Sequence, residues 1–157
     1  MVTVGKKVPD FTVPVTGGPG KNEAWSLSDA KGEKVVIYFY PKDMTTGCTV
    51  ESQNFRDLHD KFRRAKVRVL GISRDSLARH DKFREKEKLP FELLSDEDEQ
   101  VCKLFDVIKE KSLYGRKYMG IDRSTFLIDA AGVLRREWRG VKVPGHAEEV
   151  LEAAKSL

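Results

Sequence analysis

Apolar runs and stretches of mixed charge alternate along this chain, and the period of the apolar positions changes from one stretch to the next. Lys34–Tyr40 is continuously apolar after its first residue, the pattern of a strand buried on both faces of a sheet. Gly47–Arg63 sets Phe55, Leu58 and Phe62 on one stripe, which predicts an amphipathic helix. Val67–Ser73 alternates apolar and polar residues and ends in Gly71-Ile72-Ser73, a second strand. Leu77–Lys88 is a strongly charged helix stopped by Pro90, and Phe91–Leu94 is a short strand. Asp98–Phe105 is helical, with Val101, Leu104 and Phe105 as its buried face and Ser95 and Asp96 as cap candidates.

The last third changes pattern. Ser124–Asp129 and Val133–Trp138 are strand-like and joined by the turn Ala130-Ala131-Gly132, an antiparallel hairpin, and His146–Leu157 is a closing helix. Near the start, the short strand candidates Asp10–Val15 and Ala24–Leu27 flank the Gly- and Pro-rich stretch 16–22 and predict a β-hairpin arm. This order predicts an α/β fold: a central mixed β-sheet flanked by helices, with an N-terminal β-hairpin. A parallel half joined to an antiparallel half is the thioredoxin arrangement, one of the three-layer α/β folds the pattern allows.

Composition bears on partners more than on fold. The 157 residues fit one domain with a full hydrophobic core. The longest apolar run, Val35–Tyr40, is far short of the ~20 residues of a membrane helix. The first residues hold neither a signal-peptide core nor a myristoylation glycine, so the expected location is cytoplasmic, with no membrane partner. Charge is high but mixed, 29 basic against 25 acidic residues for a net +4. The basic clusters Lys61–Lys66 and Arg135–Arg139 resemble a nucleic-acid footprint. Acidic residues are interleaved along most of the chain and no nucleic-acid motif accompanies the clusters, so they are expected to be solvated surface. Two cysteines are too few for a disulfide scaffold. With His59, His80 and His146 they form no ligand pair at C-x-x-C or H-x-x-x-H spacing, so no metal or other cofactor is expected.

Candidate chemistry concentrates at Cys48, which follows the apolar strand and a short polar turn and opens the helix after them. In a first helical turn the backbone N–H groups lack intrahelical partners and the helix dipole favours an anion, so a thiolate there is stabilised. Phe55 and Phe62 lie seven and fourteen residues on and share its face, with only ~20° of drift per heptad. Cys48 is therefore expected at the rim of the core, partly shielded, at the strand's C-terminal edge. Pro41 ends the strand without giving up a needed donor. Thr45 and Thr46 are cap candidates, and the Thr45 hydroxyl is placed to hydrogen-bond the thiolate or an incoming substrate oxygen. Gly47 allows close approach to the backbone. In isolation, Cys48 could equally be a small buried hydrophobe beside plain capping threonines.

These residues resemble a family. Pro41-x-x-x-Thr45-x-x-Cys48 is the P-x-x-x-T-x-x-C signature of the peroxiredoxins, and Phe39–Glu51 resembles their bacterioferritin comigratory protein, or Q-type, branch. Lys7-Val8-Pro9-Asp10-Phe11, Gly71-Ile72-Ser73, Leu94-Ser95-Asp96 and Asp122–Asp129 follow in family order, so the resemblance covers nearly the whole chain. It implies a thioredoxin-like fold and a thiol-dependent peroxidase acting on hydrogen peroxide and alkyl hydroperoxides. It also implies the roles: Cys48 as peroxidatic cysteine, Thr45 orienting the peroxide, Pro41 shielding the sulfenate and Arg123 as the active-site arginine. A guanidinium suits that last place because it holds a thiolate without titrating. No histidine is needed as a base, and all three are expected to be ordinary surface or packing residues.

The chain also departs from the family. Where many Q-type members carry a resolving cysteine, five residues after the first, stands Gln53; where others carry one, Leu77–Lys88 contains no cysteine. The only other thiol, Cys102, is expected at the edge of its helix's buried face as a structural residue. Bridging it to Cys48 would require Cα atoms within ~7 Å, hence an unwound helix. A one-cysteine cycle is therefore expected, completed by an external reductant such as thioredoxin, glutaredoxin or glutathione, on a monomer. Thr46 stands where the branch usually has proline, which predicts a somewhat less rigid loop. Two alternatives compete. A thiol–disulfide oxidoreductase on the same fold needs C-x-x-C, and the position three after Cys48 is Glu51. A non-catalytic chaperone or binding module would leave peroxide untouched.

Overall fold

The computed structural model describes residues 2–16 and 24–157. Its first strands, β1 (Thr12–Pro14) and β2 (Ala24–Ser26), pair antiparallel as the expected hairpin, while the connection 17–23 lies outside the described residues. A short 3-10 turn, Leu27–Ala30, leads to β3 (Lys34–Phe39). The predicted Gly47–Arg63 helix is two helices, α1 (Thr46–Asp57) and α2 (His59–Arg64), broken at Leu58 with φ −98° and ψ 1°. Both Lys61 and Phe62 donate to the Leu58 carbonyl, so the chain turns there and α2 lies against β4 (Val67–Ser73), with Phe62 fully buried.

Next come α3 (Leu77–Glu87), ended by Lys88 in a left-handed conformation, β5 (Leu93–Ser95) and α4 (Gln100–Leu104). α4 starts later than predicted because Glu99 is left-handed at φ 63°. The cap candidate Asp96 still serves it, accepting from the amides of Val101 (3.0 Å) and Cys102 (2.7 Å). A hairpin that the sequence pattern did not predict follows, β6 (Ile108–Leu113) and β7 (Arg116–Ile121), turned through Tyr114 and Gly115 with φ 52° and 77°. Two positive φ values in a two-residue connection are the hallmark of the tight hairpin turn. β8 (Ser124–Ile128), β9 (Leu134–Trp138) and α5 (His146–Lys155) complete the chain close to their predicted bounds.

Five strands form the central sheet in the order β5-β4-β3-β8-β9. β3, β4 and β5 run parallel; β8 and β9 join antiparallel. This is the mixed, thioredoxin-like sheet expected from the pattern. Alternation along β3 builds two cores. Val35, Ile37 and Phe39 face a cluster with α4, β1–β2 and the N-terminal segment; Val36, Tyr38 and Tyr40 face one covered by α1, α2, α3 and α5. Fully burying each Phe on these faces, such as Phe55 or Phe126, contributes about 2–3 kcal/mol. Gly71 is fixed by packing: a Cβ there would stand 2.8 Å from Tyr38 and Leu93. No helix of the described residues is long and apolar enough to cross a membrane.

Candidate active site

The continuous apolar strand delivers the chain to one end of the sheet, where the polar loop Pro41–Thr45 turns it into α1. The first intrahelical bond of that helix runs from the Thr49 amide to the Thr45 carbonyl, so the amides of Thr46, Gly47 and Cys48 lie before the hydrogen-bonded ladder. Cys48 is 1 % exposed, deeper than the partly shielded rim position expected, because its face of α1 packs into the Tyr38–Phe55 core. Thr46 occupies the first helical position, where a proline is also accommodated.

Pairing of β8 with β3 places Ser124 opposite Phe39 and so brings Arg123 over the start of α1. Its Nη2 stands 3.5 Å from Cys48 Sγ across 75 residues of sequence. Its Nη1 donates to Glu51 Oε1 at 2.6 Å. Gly47 makes room for this approach, since a Cβ there would lie 3.2 Å from Arg123 Nη2. Burial opposes the Arg123 charge, but Glu51 and Cys48 outweigh it and hold the guanidinium more firmly protonated than usual.

Glu51 was not singled out in the sequence. It is 1 % exposed, and burial lifts its carboxyl from 4.5 to about 7 against the opposing pull of Arg123. Its Oε2 is buried without a hydrogen-bond partner. The signal available was its spacing: three residues after Cys48, hence on the same helix face. The unpredicted β6–β7 hairpin adds Lys111, whose Nζ donates to the Ile121 carbonyl. Burial pulls its ammonium below the ordinary range; nearby Arg123 and Arg74 act the same way, while Asp122 and Cys48 oppose them.

Thr45 stands at the N-cap, but its hydroxyl caps nothing and does not bond the sulfur; it donates to the Lys42 carbonyl at 2.8 Å. That leaves its oxygen free to accept. Pro41 is half-buried at the strand end. Behind the loop, Asp43 is fully buried and bonded to Tyr40 Oη and to the ring of His80. Burial first, and Asp43 second, push Tyr40 well above its ordinary ionisation range, so its hydroxyl donates. Asp43, Asp75 and His80 bring potential ligand atoms within 4.8 Å of one another, but hydrogen bonds within the protein already occupy them.

The histidines divide. His146 is a packing residue, its Nε2 2.8 Å from Thr125 Oγ1 and its ring lowered to about 4 by burial. His80 is more than packing, since both ring nitrogens are engaged in the buried core. Cys102 is completely buried rather than at a helix edge, and it belongs to the cluster on the opposite side of the sheet from Cys48. Burial, aided by Asp96, pushes its thiol far above the ordinary range. Gln53 ties α1 to the end of α3, its Nε2 donating to Glu87 Oε1 at 2.8 Å while Arg56 donates to the Glu87 carbonyl at 2.7 Å. The assembled site therefore offers one shielded sulfur, a guanidinium on it, amides without intrahelical partners in the same helical turn and a buried acid behind the guanidinium. Such an arrangement fits a sulfur nucleophile.

Comparison with known proteins agrees with this geometry. Residues 4–137 match the model of the AhpC/TSA family. The chain is 47% identical over 156 residues to Peroxiredoxin Bcp of Bacillus subtilis, spanning 99% of this chain and 97% of that one. It superimposes with a TM-score of 0.91 on a PrxQ crystal structure from Xylella fastidiosa, at 41% identity, covering 99% of this chain and 97% of that one. It matches the bacterioferritin comigratory protein of Xanthomonas campestris, a structure described for its alkyl peroxide reduction activity, with a TM-score of 0.86 at 45% identity, covering 93% and 90% of the two chains.

Proposed function

Because the chain belongs to the AhpC/TSA family and is a thiol-dependent peroxidase of peroxiredoxin type, we propose that Cys48 is its peroxidatic cysteine and that Arg123, Thr45 and Pro41 complete the site. The observation that carries this assignment is the 3.5 Å contact between Arg123 Nη2 and Cys48 Sγ, which sets a permanent cation against the one sulfur at the head of α1.

The Cys48 thiolate attacks one oxygen of the peroxide in line with the O–O bond. The S–O bond forms as the O–O bond breaks, the leaving oxygen takes a proton to become water or an alcohol, and Cys48 becomes a sulfenic acid. Arg123 stabilises the charge as it moves from sulfur to oxygen. Thr45 accepts a hydrogen bond from the peroxide hydroxyl, a role open to it because its own proton is spent on the Lys42 carbonyl. Pro41 covers the loop side of the sulfenate. A thiol from outside then condenses with the sulfenic acid, releasing water and forming a mixed disulfide, and a second thiol frees Cys48. The external donor is supported by Gln53 and by the sheet that lies between Cys48 and Cys102. Thioredoxin, glutaredoxin and glutathione are the candidate donors. Hydrogen peroxide and alkyl hydroperoxides are the proposed substrates, and a cytoplasmic monomer is the proposed form.

Peroxide consumption with dithiothreitol by wild type and by Cys48→Ser tests the assignment; a serine variant as fast as wild type would overturn it. Intact mass and non-reducing peptide mapping after one equivalent of peroxide test the one-cysteine cycle. A quantitative Cys48–Cys102 bridge would refute it, and unchanged turnover in Cys102→Ala supports it.

A further inference from the structure

Of the loop Pro41–Thr45, one residue turns fully inward. Asp43 is 0 % exposed, whereas Lys42 and Thr45 lie on the surface and Met44 is 38 % exposed. All four polar groups of Asp43 are engaged. Its amide donates to Asp75 Oδ2 at 2.9 Å, and its carbonyl accepts from Arg79 Nη2 at 3.0 Å. Its Oδ1 accepts from Tyr40 Oη at 2.6 Å, and its Oδ2 stands 2.6 Å from His80 Nδ1. The far side of the His80 ring is fixed as well, with Nε2 2.8 Å from the Leu94 carbonyl on β5.

A carbonyl only accepts, so Nε2 carries a proton. The remaining proton of the pair lies between Nδ1 and Oδ2. Whether it resides on the ring or on the carboxyl, the pair carries no net charge and neither partner is left unsatisfied in the core. Burying a carboxyl and an imidazole is unfavourable unless both are paired in this way.

The next residue shows what this arrangement supports. Met44 has φ 65°, a conformation that side-chain-bearing residues avoid. Such a residue persists where its surroundings over-determine it, and it is a pointer to function. The left-handed step at Met44 turns the chain from the buried Asp43 to Thr45, whose hydroxyl closes back on Lys42 and whose carbonyl starts α1. A displacement of Asp43 therefore shifts the Thr45 hydroxyl and the head of the Cys48 helix together.

We propose that Asp43 and His80 are positioning residues of the peroxidase, a buried hydrogen-bonded tether that clamps the strained Met44 turn to α3 and β5 and so sets Thr45 against Cys48. They touch no substrate. Their effect falls on the placement of the peroxide and not on the Cys48 sulfur, which Arg123 contacts from the other side of the site at 3.5 Å. The proposal rests on the assignment of Cys48 and Thr45 above.

Two second-order rates of Cys48 separate these effects, one with hydrogen peroxide and one with iodoacetamide, which needs the thiolate but no peroxide orientation. His80→Ala is expected to lower the peroxide rate ~10–100-fold, as misplacements near 1 Å do, while the alkylation rate changes less than about twofold. His80→Asn, whose amide nitrogen can sit near the ring Nδ1 position and donate to Asp43, is expected to recover much of the loss. If His80→Ala does not fold, Arg79→Met removes a second tether, through a side chain that is 43% exposed, and carries the same comparison. Equal losses in both rates, or a folded His80→Ala with the wild-type peroxide rate, would overturn the tether. If Cys48→Ser still consumes peroxide, the site assignment fails and the proposal with it; an inactive Cys48→Ser beside an unaffected His80→Ala refutes the tether alone.

Discussion

Replacing Glu51 with glutamine converts a buried titrating acid into a neutral side chain of the same shape. In the folded protein burial lifts this carboxyl from 4.5 to about 7, even with Arg123 beside it. The folded state therefore holds a proton that the unfolded chain has already released between pH 4.5 and 7. Stability falls wherever the folded state binds the extra proton, so the contribution of Glu51 is most favourable below pH 4.5 and is lost as pH rises through about 7. A rise from 4.5 to about 7, at 1.36 kcal/mol per pH unit, is worth about 3 kcal/mol. Arg123 stays charged across this window and does not alter the sign. The assay is urea unfolding of wild type and Glu51→Gln, both fully reduced, at a series of pH values from 4.5 to 8. Subtracting one stability curve from the other removes every titration the two proteins share. The difference, wild type minus variant, is expected to fall by about 3 kcal/mol from pH 4.5 to 8. A flat difference would mean that Glu51 ionises as an exposed acid does, and a rising one would mean that Arg123 dominates burial; either refutes the reasoning.

Further measurements address the rest of the site. Arg123→Lys keeps the charge but loses the fork that reaches Glu51 and Cys48 together, and the peroxide rate is expected to drop roughly 10²–10³-fold in stopped-flow assays. Gly47→Ala should move activity and stability in opposite directions. The added methyl crowds Arg123 Nη2 and slows peroxide reduction ~3–10-fold, while the better helix former leaves the melting temperature equal or higher. The ring of His146 is expected to stay neutral until the pH approaches about 4, because burial disfavours the cation; an NMR titration with a midpoint near the ordinary imidazole value would contradict this.

Much of the fold was legible because period and packing agree along its central strands. Lys34–Tyr40 is apolar on both faces, and it is the strand with a core on each side. Cys48 and Thr45 were visible as site candidates from local spacing, whereas Pro41 read locally as the end of a strand and entered the site through resemblance. Arg123 was visible only through resemblance, since nothing in the spacing of residues 75 apart records that β8 lies beside β3. The β6–β7 hairpin left no periodic signal because most of its side chains face solvent, and only the Tyr114-Gly115 turn marks it. The break at Leu58 was hidden because Phe55, Leu58 and Phe62 fit one continuous helix as well as two. Glu51 and Asp43 were passed over for a shared reason: charged residues are assigned to the surface by default, and here pairing with Arg123 and His80 lets them lie inside.

The tie from Gln53 and Arg56 to Glu87 bears on how freely this protein can be altered. An enzyme that must unwind a helix in each turnover cannot afford to strengthen that helix, and its stability and speed are opposed. Here neither α1 nor α3 holds a second thiol that would call for such a motion, and the two helices are joined where they meet. Amide hydrogen exchange in α1 from Thr49 onward should therefore match that of the central sheet in both the reduced and the peroxide-treated protein. Substitutions that stiffen the α1–α3 contact become a route to a more heat-resistant peroxidase that gives up none of its rate.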